Sequence, residues 1–133
     1  MGLRSPVYIQ FDERRIRVLN LKRGTWIEVA LAEDANPFNH PRLLVSDAEM
    51  AQKVLRDALK QALSKLTDRL MGPPMIVHPL RTLEGGVSPL EEKVLKDILG
   101  ELGGRKVQVR TGPEPSKEEL LTWLDSPEVK MPE

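Results

Sequence analysis

Residues 86–113 read GVSPLEEKVLKDILGELGGRKVQVRTGP, and this stretch carries a complete passage from helix to strand. Ser88 offers a hydroxyl to the free amides of a helix start, Pro89 suits the first turn, and Glu91 stands at the capping-box position. Leu90, Val94, Leu95, Ile98 and Leu99 recur at helical spacing and give the segment one apolar stripe. Gly103 and Gly104 supply a left-handed ending, after which Lys106 to Arg110 reads as a strand. Upstream, Pro73 and Pro74 break the chain, and Met75, Ile76 and Val77 form the short continuous apolar run of a buried central strand. Strand, helix and strand in that order predict an α/β fold with parallel pairing.

Working outward, Ser46 is expected to cap a longer helix, with Glu49 at its box position. Met50, Val54, Leu55, Ala58, Leu59, Ala62, Leu63 and Leu66 follow on one face, and the helix should end near Met71 and Gly72. Lys53, Arg56, Lys60, Lys65 and Arg69 then form its wet face rather than a ligand track. Before it come three strand-like runs, Val7 to Phe11, Ile16 to Leu21 and Trp26 to Leu31, joined by turns at Asp12-Glu13-Arg14 and Lys22-Arg23-Gly24 as a β-meander. Positions 34–41 read as a loop. A last helix runs from Ser116 to Leu124, with Ser116 as cap and Glu119 at the box position. The order β-β-β-α-β-α-β-α predicts a five-stranded mixed sheet with helices on both faces, the arrangement of ribonuclease H-like and actin-like domains. A dinucleotide-binding reading fits less well, because no helix separates the first strands and no Gly-rich first turn is present. The expected organisation is one domain over residues 1–124 and a loose tail over 125–133.

Composition narrows the function classes. The chain has 133 residues, 40% of them hydrophobic, enough for one domain that buries about two thirds of its unfolded surface. Twenty basic and twenty acidic residues cancel, so no net field draws the protein to nucleic acid or anionic lipid. There is no cysteine, and His40 and His78 lack ligand-spaced partners, so no metal or other cofactor is implied. Neither a leader-like segment nor a run of about 18 apolar residues is seen; a cytoplasmic protein without a membrane span is expected. His78 is expected to bond a carbonyl at the end of its strand, and Trp26 and Trp123 to pack at the core or its rim.

Three blocks carry a family resemblance. Gly86 to Pro113 is similar, without a gap, to the helix and strand after the second phosphate-contacting region of the bacterial rod-shape protein MreB. Gly86, Glu91, Gly103, Arg105, Val107 and Pro113 match it, and Val87 and Ser88 replace its Ile and Thr conservatively. Ile9 to Gly24 resembles that family's first hairpin, and Leu43 to Ala62 its helix before the fourth strand, with an acidic residue at Asp47. The resemblance is to the first large subdomain only, with the small inserted subdomain replaced by the loop around Asn36 to Pro41. Because the family's nucleotide lies between two halves, this implies a wall without its opposite wall.

The same resemblance implies a degenerate nucleotide site. Gln10, Asp12 and Glu13 stand where the family has an Asp-x-Gly-Thr turn, and two carboxylates there repel phosphate by about a few kcal/mol at a partly shielded site. Pro89 takes the place of the glutamate that orients attacking water, after Ser88. Leu83-Glu84-Gly85-Gly86 is a glycine-containing loop before a helix, which suits either a structural turn or an anion contact. The expectation is therefore a non-catalytic, stand-alone MreB-like domain without cofactor or ATPase activity, working through protein contacts in cell-shape or filament regulation. In full-length actin-like proteins this subdomain supplies surfaces to neighbouring protomers. The partner is expected to be a full-length actin-like filament protein or a second copy of this chain, with Trp26, Ile27 and Val29 on strand three as the candidate contact. Two alternatives remain: an ATP/Mg-binding module completed by dimerisation, and a ribonuclease H-like nuclease using Asp12, Glu84 and Asp125 for metal ions.

Overall fold

Strand alternation decides which face each residue takes, and register decides what it meets. In the computed structural model, which describes residues 6–63, 72–80 and 86–125, β1 (Val7–Phe11) pairs antiparallel with β2 (Arg15–Asn20), and β2 antiparallel with β3 (Thr25–Ala30). On its other side β1 pairs in parallel with β4 (Pro74–Pro79), and β4 in parallel with β5 (Lys106–Val109). The sheet order is β3-β2-β1-β4-β5, the mixed five-stranded sheet that the element order predicts. Between the strands lie a short 3-10 turn (Glu33–Ala35), α1 (Ala48–Ala62), α2 (Pro89–Glu101) and α3 (Lys117–Asp125).

One face of the sheet carries the main core. Val7, Ile9 and Phe11 of β1, Ile16 and Val18 of β2, and Met75 and Val77 of β4 pack there with Leu55, Ala58 and Leu59 of α1 and Leu95, Ile98 and Leu99 of α2. α3 covers part of the opposite face, where Leu120, Trp123 and Leu124 meet Tyr8, Leu19 and Ile76. Helices thus lie on both faces. The loop after β3 is more than a connection: Phe38 is fully buried and stacks on Phe11 at 4.2 Å between ring centroids. Asn36 holds it there, accepting the Phe38 amide at 2.8 Å and donating to the Glu13 carbonyl at 2.6 Å.

Helix ends follow side-chain chemistry, with one correction. Ser88 and Glu91 form the expected reciprocal box at 3.1 and 3.0 Å, and Ser116 and Glu119 form another at 3.2 and 2.9 Å. The cap of α1 is Asp47 rather than Ser46. The Asp47 carboxylate accepts the Met50 amide at 3.1 Å, whereas the Ser46 hydroxyl donates to the Pro37 carbonyl at 3.2 Å. Ser46 is thus spent on the loop, and Asp47 is free to cap with a charged acceptor. Gly103 takes the left-handed conformation, with φ of +105°, after α2. α3 includes Asp125, the first residue of the expected tail. The reading of α1 beyond Leu63 to Leu66 and Met71, the loop Leu83-Glu84-Gly85, Lys65, Arg69 and the tail beyond Asp125 lie outside the described residues.

Candidate functional site

The turn between β1 and β2 presents two amides from Arg14 and Arg15 on one side. Both are already bonded: Asp12 Oδ1 accepts them at 2.8 and 3.1 Å, while the Asp12 amide donates to the Arg15 carbonyl at 3.1 Å. The turn therefore encloses its own anion, in the way an Asx turn satisfies neighbouring amides. An open cleft of about 480 Å³ lies beside it, lined by Asp12, Glu13, Arg14, Arg15, Glu28 and Ala30. Arg15 Nη1 approaches Glu28 Oε1 at 3.5 Å, and from beside the cleft Arg17 Nε approaches it at 3.8 Å, so the Arg15 cation faces an acid of the same cleft.

The other residues singled out from sequence fall in separate places. Gln10 is not on the turn surface but buried within β1. Ser88 and Pro89 begin α2, where the Ser88 hydroxyl is engaged in its own cap. Asp125 ends α3, and Glu84 lies outside the described residues. Among the described residues no group of three or more His, Asp or Glu side chains is arranged to hold a metal ion.

The face that α3 partly covers holds a polar chain that the sequence did not reveal. His78, fully buried on β4, stands 2.9 Å from the Gly112 carbonyl through Nε2 and 2.7 Å from the Tyr8 hydroxyl through Nδ1. A carbonyl only accepts, so Nε2 carries the proton and Nδ1 accepts from Tyr8. Gln10 Nε2 in turn donates to the Tyr8 oxygen at 3.0 Å, and Arg17 Nη1 reaches Gln10 Oε1 at 3.4 Å. Four side chains from three strands thus donate in one direction, from Arg17 at the surface to Gly112. Burial holds the His78 imidazole below its ordinary value, and burial pushes the Tyr8 phenol up to about 12. Both groups are neutral near pH 7. The expectation that His78 bonds a carbonyl holds, with Gly112 as its partner. Alongside, Gln108 donates to the Trp123 carbonyl at 2.9 Å and accepts from Arg110 at 2.9 and 3.2 Å, and Arg110 stacks over Trp123 at 4.9 Å.

At the free edge of the same sheet, the three candidate contact residues of β3 divide between its faces. Trp26 is 43% exposed, with the Arg17 guanidinium 4.6 Å above its ring and Tyr8 edge-on at 6.1 Å. Ile27 and Val29 turn to the opposite face and pack, half-buried, against the main core. They are reachable along the strand edge rather than from the outer face.

A mixed sheet in this order, flanked by helices on both faces, is a partial actin-like fold. The chain resembles two crystal structures of MreB5 of Spiroplasma citri. One, bound to ADP, gives a TM-score of 0.51 at 17% identity and matches 82% of this chain and 38% of that one. The other, bound to AMPPNP, gives 0.56 at 16% identity, matching 84% and 39%. This chain spans about two fifths of those chains, and the likeness is one of fold. It is also 29% identical over 99 residues to the uncharacterized protein YjaA of Escherichia coli K12, covering 71% of this chain and 74% of YjaA. No protein-family model matches.

Proposed function

We propose that this chain is a non-catalytic actin-fold domain that acts in the cytoplasm through protein contact, in cell-shape or filament regulation. The observation that carries the reading is the Asp12 carboxylate, which fills the amides of Arg14 and Arg15. In an actin-like domain this hairpin turn faces phosphate, and backbone amides attract an anion only while they are unoccupied. To enter here, a phosphate must displace an internal carboxylate and approach Glu13 and Glu28 in the same cleft. Pro89, at the place of the water-orienting glutamate, supplies neither a carboxylate nor an amide proton. The outside also carries an edge strand and an exposed Trp26 set among charged side chains, a composition suited to protein contact.

The test is an amide-detected NMR titration with magnesium and ATP, then with ADP. Unchanged positions for Gln10 to Arg15, Val87 and Ser88 support the reading. Saturable shifts at those amides sink it and favour a nucleotide-binding module.

A further inference from the structure

The hydrogen-bond pattern of the meander fixes which main-chain groups of β3 are free. In an antiparallel pair, a residue directs its N–H and C=O to the same side, and the side alternates along the strand. The Leu31 amide donates to the Arg14 carbonyl at 2.8 Å. With Arg15 opposite Ala30 and Ile16 opposite Val29, the bonding pairs continue through Val29, Ile27 and Thr25. The opposite alternation holds between β1 and β2, where the Leu21 amide donates to Pro6 at 3.0 Å. Trp26, Glu28 and Ala30 therefore turn their N–H and C=O groups away from β2, toward the free edge of the sheet. Edge strands are commonly guarded by proline, lysine or a bulge. β3 reads TWIEVA, contains no proline or lysine, and keeps unbroken one-to-one pairing with β2. Its single charge, Glu28, faces the cations of Arg15 and Arg17.

We infer that the β3 edge receives the β3 edge of a second copy of this chain, antiparallel about a two-fold axis, joining the two sheets into one. This rests on the protein-contact reading above and names the partner. Self-complementarity selects the second copy, and the side chains select the register. Centring the axis on Ile27 sets Trp26 of each copy opposite Glu28 of the other, and each of those pairs exchanges both main-chain bonds. The two Trp26 rings then lie diagonally, about 7–8 Å apart at the backbone, within reach of one another. On the helix side, Ile27 meets Ile27, and Val29 meets Thr25, covering side chains that are half-buried or exposed in one copy. Centring on Glu28 instead opposes like charges directly. Centring on Trp26 runs the ladder into Gly24, whose φ of +69° turns it out of the strand.

Glu28→Pro provides the sharp test. Its N–H faces the free edge, so proline removes an intermolecular donor and leaves the ladder to β2 intact, as edge positions tolerate. Sedimentation equilibrium from low micromolar to submillimolar protein is expected to show a monomer–dimer equilibrium for the native chain. Glu28→Pro should weaken it about tenfold or more, since the two-fold axis repeats the lost donor. Hydrogen exchange on the unaltered protein gives an independent readout. The amides of Trp26 and Glu28 should gain protection as concentration rises, while those of Ile27 and Val29 are protected throughout. A native chain that stays monomeric, or a dimer in which those two amides remain unprotected, overturns the inference. Neither result touches the protein-contact reading, which fails instead if nucleotide shifts the Gln10 to Arg15 amides.

Discussion

Acidification should weaken this fold through one side chain. His78 is buried and neutral, held between the Gly112 carbonyl and the Tyr8 hydroxyl, and burial lowers its affinity for a proton in the folded state. In the unfolded chain the imidazole titrates near its ordinary value of about 6.5. Above that pH both states are neutral, and His78 contributes no pH dependence. Below it the unfolded state takes up the proton first. Stability then falls by up to about 1.4 kcal/mol per pH unit until the folded-state value is reached. The geometry gives the same sign. A proton on Nδ1 would leave the Tyr8 hydroxyl proton without its acceptor inside the protein, a loss of about 1–3 kcal/mol. Among the described residues the ring faces Tyr8 on β1, whose phenol stays neutral, the Trp123 ring on α3 at 6.1 Å, and the Gly112 carbonyl and Glu114 charge, both of which act to raise the imidazole again. Urea unfolding between pH 8 and 5 on the native chain and on His78→Gln isolates the effect, because every other side chain is common to both. The native-minus-variant difference should shrink on going below pH 6.5, and ring-nitrogen NMR should show Nε2 carrying the proton at pH 7. A difference that is flat across the range, or an Nδ1-protonated ring, refutes the reasoning.

Further outcomes follow from individual contacts. Phe38→Ala empties a fully buried site against Phe11 and should cost about 3–5 kcal/mol in urea unfolding; a loss near zero would mean the loop does not close the core. Asp12→Ala strips the Arg14 and Arg15 amides of their acceptor and should cost about 0.5–2 kcal/mol, as at helix caps, while Asp12→Asn, which keeps an acceptor oxygen, should lose clearly less in the same assay. The two capping boxes should respond differently to Glu→Gln. Glu91 uses one oxygen for Ser88 and the other for the Leu44 amide at 2.9 Å, so Glu91→Gln turns an NH₂ group toward a donor and should cost about 1–2 kcal/mol. Glu119→Gln can still serve Ser116 and should be near neutral; equal effects in thermal melts would remove the tether to Leu44 from the account.

The legible parts of this fold are those where local chemistry and tertiary packing ask for the same residue. Ile16 and Val18 alternate with Arg15 and Arg17, and the sheet buries the first pair while leaving Arg15 exposed and Arg17 half-buried. Ser88-Pro89 with Glu91 announces a helix start from four consecutive residues. Asp47 and Ser46 were not separable in that way, since the choice between them depends on the Pro37 carbonyl nine residues upstream. The polar chain from Arg17 to Gly112 left no local trace: Tyr8 and His78 are 70 residues apart, and only the parallel register of β1 with β4 makes them neighbours. Phe38 did leave a signal, as a lone aromatic in a loop of Asn, Asp and Pro.

That parallel pairing of β1 with β4 also orders events in time. The β1-β2-β3 meander consists of neighbours in sequence and closes short turns, so it can form as soon as it leaves the ribosome. Its inner edge, β1, then waits for β4, which arrives only after the long segment containing α1 has been made. In that interval the nascent chain presents an open strand on each side of a three-stranded ribbon, and the apolar face built by Val7, Ile9, Phe11, Ile16 and Val18 has no helix over it. Long-range closure of this kind is slow relative to hairpin formation. A chain halted before Met75 would leave that face and both strand edges uncovered, so slower elongation there should lower the yield of native chain.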